Sequence, residues 1–144
     1  MQLRIVNQSN NELPQYQTTG SAGMDLRAFL DDTIELGPLE RILIPTGLFI
    51  ELPDGTEAQI RPRSGLAYKH GITVLNSPGT IDSDYRGELK VLLVNLSNEK
   101  FIITSGERIA QMVITTFNQP NLTQVDSLTN TDRSSGGFGS TGVK

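Results

Sequence analysis

The sequence predicts an all-β domain, an antiparallel sandwich or barrel, on three observations. Apolar residues recur at period two or in runs of a few residues, and a helical period of about 3.6 is not sustained. The strand-like runs are many, short and closely spaced. Gly and Pro punctuate them at Leu36-Gly37-Pro38, Pro53-Asp54-Gly55, Ser77-Pro78-Gly79 and Ser105-Gly106.

Taken in order, Leu3-Arg4-Ile5-Val6 reads as the first strand, and Ala22-Gly23-Met24-Asp25-Leu26 as an apolar strand carrying one acid. Residues 33–36, 41–44, 48–52 and 57–61 continue the pattern. Residues 64–70 alone look helical, one or two turns that Ser64 can cap and Gly71 can end. Strands follow at 72–75, 88–96, 101–104 and 108–117, with a hairpin turn bracketed by Gly79 and Gly87. From about residue 127 to 144 the chain is rich in Ser, Thr and Gly without apolar periodicity. It divides into a core, 1–126, and a flexible arm, 127–144.

With 144 residues there is room for one domain. A hydrophobic fraction of 36 % is lean, which fits a small β domain with a polar tail or an oligomer that shares its core. The absence of cysteine excludes disulfides and thiolate metal sites, and a single histidine, His70, excludes a multi-histidine zinc site within one chain. A net charge of −4 argues against a broad duplex-DNA footprint, so no nucleic-acid partner is expected. No basic-then-apolar leader opens the chain and no apolar run is long enough for a membrane, so a soluble, cytoplasmic protein is expected.

Chemistry concentrates in Gly79-Thr80-Ile81-Asp82-Ser83-Asp84-Tyr85-Arg86-Gly87, where two glycines bracket two acids, an aromatic ring and an arginine. Strand alternation through Ile81 can aim Asp82 into a pocket, where a carboxylate kept ionised by cations can act as a general base. The plainer reading is a solvated loop. Arg61-Pro62-Arg63-Ser64-Gly65 sets two arginines and a hydroxyl before a helix N-terminus, which suits an anion, or is an ordinary cap with surface arginines. Asp25 in its apolar strand must find a cation or donors: it holds an arginine, the structural role, or waters on a metal. Gln111 alternates with apolar neighbours and can donate to phosphate or across strands. His70 reads as a surface residue ending the helical turn. Arg133 and the glycines up to Gly142 can form a nest of amides, with Phe138 free to stack on a base. Otherwise the segment is a disordered tail.

Together these segments resemble the trimeric deoxyuridine triphosphatase (dUTPase) family, in order and spacing, from Ala22 to Gly142. Ile81-Asp82-Ser83-Asp84-Tyr85-Arg86-Gly87 and Gly136-Gly137-Phe138-Gly139-Ser140-Thr141-Gly142 match most closely. Ser134 departs from the family pattern, which has Gly after the arginine.

The resemblance implies a distorted jelly-roll barrel and hydrolysis of dUTP to dUMP and pyrophosphate, which keeps uracil out of DNA and supplies dUMP for thymidylate synthesis. It implies Asp82 as the base that activates water for attack on the α-phosphorus, and Tyr85 against the deoxyribose, leaving no room for a 2′-hydroxyl. It implies uracil gripped by the hairpin's main chain, with Asn76, Gly79, Thr80, Ile81 and Lys90 at the substrate. Arg63, Ser64, Gly65 and Gln111 match phosphate contacts, and Arg133, Phe138 and Gly139 close over the nucleotide as a lid. Mg2+ is the implied cofactor, held by the triphosphate and waters with no direct protein ligand and with Asp25 as a possible outer-shell partner. The implied assembly is a homotrimer with shared sites. Three rivals are a deoxycytidine triphosphate deaminase on the same fold, a non-catalytic nucleotide-binding regulator, and a plain β-sandwich interaction domain. Asp82 in Ile-Asp-Ser-Asp-Tyr, where the deaminase uses a glutamate, together with the retained tail, favours the triphosphatase.

Overall fold

A computed structural model describes residues 1–137. Eleven strands and one helix occur among them: β1 (Arg4–Asn7), β2 (Gly23–Arg27), β3 (Ile34–Leu36), β4 (Arg41–Pro45), β5 (Leu48–Glu51), β6 (Thr56–Arg61), α1 (Ser64–His70), β7 (Ile72–Val74), β8 (Gly79–Ile81), β9 (Lys90–Asn95), β10 (Phe101–Ile103) and β11 (Arg108–Thr116). All described pairings are antiparallel, in the orders β2-β11-β6-β8, β4-β9-β7, β1-β5 and β10-β3. The chain is all-β and antiparallel, as the sequence pattern predicts, and its strands wrap into the jelly-roll β fold that the resemblance implies.

Alternation builds the core. Along β6, Thr56, Ala58 and Ile60 point inward, and Met24 and Leu26 do so along β2. Ala58, Ile60, Met24 and Leu26 join Ile44, Val91, Leu93 and Met112 in one buried cluster. Buried polar side chains are satisfied: Asn95 donates to the carbonyls of Leu36 (2.9 Å) and Glu99 (2.7 Å), and every described buried side-chain polar atom has a partner. Facing β3 and β10, Glu35 bonds Lys100 and raises its pKa, through the hydrogen bond first and then through charge.

The helix runs over the predicted residues, with one correction at its start. Arg63, not Ser64, occupies the N-cap position, in an extended conformation and without a side-chain cap. Ser64 is already helical, so its hydroxyl does not play the capping role expected of it. Gly71 ends the helix at φ 65°, its N–H donating to the Ala67 carbonyl at 3.1 Å. His70 is exposed, and its ring packs on Phe101 at 5.2 Å.

Beyond β11 no helix or strand occurs among the described residues, and 121–135 are exposed throughout. None of the described helices is long and apolar enough to cross a membrane.

Candidate active site

The hairpin loop is organised by its own backbone. In β8, Gly79 faces Ile60, Thr80 faces Gln59 and Ile81 faces Ala58. A Cβ on Gly79 would lie 3.3 Å from both Ile60 and the Asn76 amide, so the glycine lets Asn76 close against the strand. Asp82 then opens a turn, its carbonyl accepting from the Tyr85 N–H at 3.2 Å. The Arg86 guanidinium donates to the carbonyls of Ser83 (2.7 Å) and Tyr85 (3.0 Å) and braces the loop. Tyr85 folds back over Gly87, its hydroxyl donating to the Glu88 carbonyl at 3.2 Å. A Cβ on Gly87 would sit 2.2 Å from that hydroxyl oxygen, so only glycine permits this placement of the ring.

Thr80, Ile81, Asp82, Tyr85 and Lys90 line one cavity of about 270 Å³ with Leu43 and Glu88. Asp82 is exposed at its mouth rather than withdrawn from water. The sequence reading called for cations beside Asp82, but it has no ion pair among the described residues, and Lys90 Nζ in the same cavity lies 3.5 Å from the Glu88 carboxylate instead.

A second group forms where β2, β11 and the end of β6 meet. Gln111 stands opposite Asp25 on one side and Arg61 on the other. Asp25 accepts from Arg63 Nε at 2.9 Å and from Arg108 at 3.1 Å. Its side chain is 21 % exposed, buried enough to require these partners. Asp25 thus takes the structural role of holding an arginine, and holds two. Each oxygen keeps a lone pair for a water. Arg63 also donates to the Arg108 carbonyl at 3.2 Å, and the Gln111 amide to the Pro62 carbonyl at 2.9 Å. Gly23 makes room for that amide, since a Cβ there would sit 2.6 Å from Gln111 Oε1. Ser64 and Gly65 are exposed at the start of α1, with open space around Gly65. Arg63 and Arg108 border a cavity of about 390 Å³.

Arg108 and Glu88 were not singled out from the sequence. Arg108 reaches Asp25 because β11 carries a register irregularity between Arg108 and Ala110. Two consecutive buried residues, Ile109 and Ala110, break the alternation there. Strict period two puts Arg108 on the face opposite Gln111. Glu88 stands at the closing end of the hairpin, and its partner lies far away in sequence.

The two groups line different cavities of the single chain. Arg133 belongs to neither: it is exposed in the arm, its Nε donating to the Gly136 carbonyl at 2.9 Å. Ser134 adopts φ 45°, a left-handed conformation that glycine takes freely and serine does not. Phe138 and Gly139 lie outside the described residues. No three His, Cys, Asp or Glu side chains converge as a metal cage among the described residues.

The dUTPase family model matches residues 9–142. The chain is 66 % identical to the deoxyuridine 5′-triphosphate nucleotidohydrolase of Cytophaga hutchinsonii, over 97 % of this chain and 91 % of that one. It is 57 % identical to the enzyme of the same name from Finegoldia magna, over 99 % of both chains. Among solved structures it is similar to a variant of the Staphylococcus bacteriophage 80alpha dUTPase with dUpNHpp, with a TM-score of 0.87, 27 % identity and 99 % of both chains covered. Fold, motif geometry and relatives agree: the chain belongs to the dUTPase family.

Proposed function

We propose that this chain hydrolyses dUTP to dUMP and pyrophosphate by water attack on the α-phosphorus, with Asp82 as general base. The observation that carries this reading is the shared cavity of Asp82, Tyr85 and the β8 backbone. It sets a carboxylate beside an aromatic wall and β8, which pairs with β6 and is an edge strand among the described residues. Relatives bearing the deoxyuridine 5′-triphosphate nucleotidohydrolase name over nearly the whole chain support the substrate.

In this reading uracil enters the hairpin between Asn76 and Lys90 and pairs with the backbone of Gly79, Thr80 and Ile81. A base with a different donor–acceptor edge leaves those groups unpaired and is rejected. The Tyr85 ring lies against the deoxyribose and closes the space a 2′-hydroxyl needs. Asp82 at the cavity mouth takes a proton from the attacking water, and its exposure leaves that water a path in. Arg63, with Ser64, Gly65 and Gln111, binds phosphate oxygens. Asp25 holds the Arg63 guanidinium in place, so its long side chain is preorganised.

Magnesium, when bound, neutralises triphosphate charge and fixes one reactive conformer. In this reading the ion would be held by the triphosphate and its waters. The lone pairs left on Asp25 suit an outer-shell water.

The active enzyme in this proposal is a homotrimer. The base-bearing hairpin and the arginine group line separate cavities of one chain, so neighbouring subunits complete each site. Residues 1–126 form the catalytic core. The arm 127–144 brings Arg133, Phe138 and Gly139 over the bound nucleotide. The cytoplasm is the proposed location.

The test is product analysis with dUTP, UTP, dTTP and dCTP in magnesium buffer. Pyrophosphate release from dUTP alone is expected. Ammonia release from dCTP, or equal turnover of all four, contradicts the reading.

A further inference from the structure

We propose that Glu88 is a positioning residue for the sugar wall: through its carboxylate the turn between β4 and β5 sets where the Tyr85 ring stands. The inference deepens the reading of Tyr85 given above and rests on it.

The Tyr85 hydroxyl has one protein partner among the described residues, the Glu88 carbonyl, at 3.2 Å. With Gly87 offering no side chain, the ring lies directly on the 87–88 backbone, so its position follows that backbone. The backbone is in turn fastened from Thr46-Gly47-Leu48. The Gly47 N–H donates to Glu88 Oε1 at 2.9 Å, the Leu89 N–H to the Leu48 carbonyl at 2.8 Å, and the Thr46 hydroxyl to the Leu89 carbonyl at 2.6 Å. The turn is itself closely packed. Gly47 stands at φ 69°, and a Cβ there would lie 2.8 Å from Ser9 and 3.0 Å from Phe29. The Glu88 side chain is 21 % exposed, and its second oxygen faces Lys90 at 3.5 Å. A carboxylate that receives a backbone N–H on one oxygen and an ammonium on the other is held at both ends.

This arrangement has a use. A wall that excludes one hydroxyl group must be fixed to a fraction of an ångström, and Tyr85 lies on an exposed loop whose own bonds are local. Glu88 connects that loop to the barrel.

The experiment measures kcat/KM for dUTP and for UTP with the full-length assembled enzyme, in the parent and in Glu88→Ala, Glu88→Gln, Thr46→Val and Tyr85→Ala. Glu88→Ala is expected to lower the dUTP-over-UTP ratio about tenfold. Glu88→Gln keeps an acceptor for the Gly47 N–H and should hold the ratio within about threefold of the parent. Thr46→Val, buried and away from substrate, removes another bond of the same fastening and should also lower the ratio. It carries the test if Glu88→Ala does not fold. A merely structural Glu88 lowers both specificity constants and leaves their ratio alone, which overturns the proposal. Should Tyr85→Ala also leave the ratio unchanged, the reading of the sugar wall falls and the proposal with it. A changed ratio in Tyr85→Ala beside an unchanged one in Glu88→Ala overturns the role of Glu88 only.

Discussion

Replacing Asp25 by alanine tests how the arginine group is built. In the intact protein the carboxylate receives two guanidinium donors, from Arg63 at 2.9 Å and Arg108 at 3.1 Å. Hydrogen bonds to charged groups contribute about 1.5–3 kcal/mol each. Arg108 is 45 % exposed and regains water when released, so the pair is discounted to about 2–4 kcal/mol. For a chain of this size that corresponds to a fall in Tm on the order of 10 °C, measured at fixed protein concentration because assembly also contributes. Arg63 would keep only its 3.2 Å bond to the Arg108 carbonyl and would sample other rotamers. If Arg63 binds phosphate equally in ground and transition states, KM for dUTP rises about tenfold while kcat changes less. Asp25→Asn, which keeps one acceptor but no charge, should fall between. The assays are differential scanning calorimetry and steady-state pyrophosphate release. An alanine variant with unchanged Tm and unchanged KM refutes the reasoning, because the guanidinium would then be held by something else.

Three further outcomes follow from the same structure. Asp82→Asn should lower turnover about a thousandfold while calorimetry finds dUTP binding largely intact, since the proposed uracil contacts are main-chain; near-normal turnover removes Asp82 as base. Removal of residues 133–144 should leave Tm within about 2 °C, because no described residue of that segment is buried, and should lower kcat/KM about a hundredfold or more. Phe138→Ala alone should show part of that loss, and full activity of the truncated chain rules out the lid. Analytical ultracentrifugation at micromolar concentration should give three times the 15.7 kDa chain mass, and a monomer mass contradicts the shared site.

Much of the fold is legible in the sequence because alternation and turn residues act locally. The continuous apolar run Val91–Val94 folds within a strand, and Gly71 ends the helix where a left-handed residue is required. Asp25 was legible as a buried acid in need of a cation, but which cation was not. Arg108 escaped because a register irregularity re-aims it, and period-two reasoning assigns it the wrong face. Glu88 escaped because its partner, the Gly47 N–H, lies 41 residues away and carries no side chain to notice. Ser64 was misplaced as the cap by one residue, a matter decided by the extended φ/ψ of Arg63 rather than by composition. The strain at Ser134, φ 45°, was visible only as a missing glycine.

Water attack on the α-phosphorus beside Asp82 is the central proposed step. Single-turnover hydrolysis of dUTP in water enriched with heavy oxygen, followed by mass spectrometry of both products, tests that step directly. Attack at the α-phosphorus places the label in dUMP and leaves pyrophosphate unlabelled. Label in pyrophosphate would show attack at the β-phosphorus and would contradict the role assigned to the cavity of Asp82, Tyr85 and the β8 backbone.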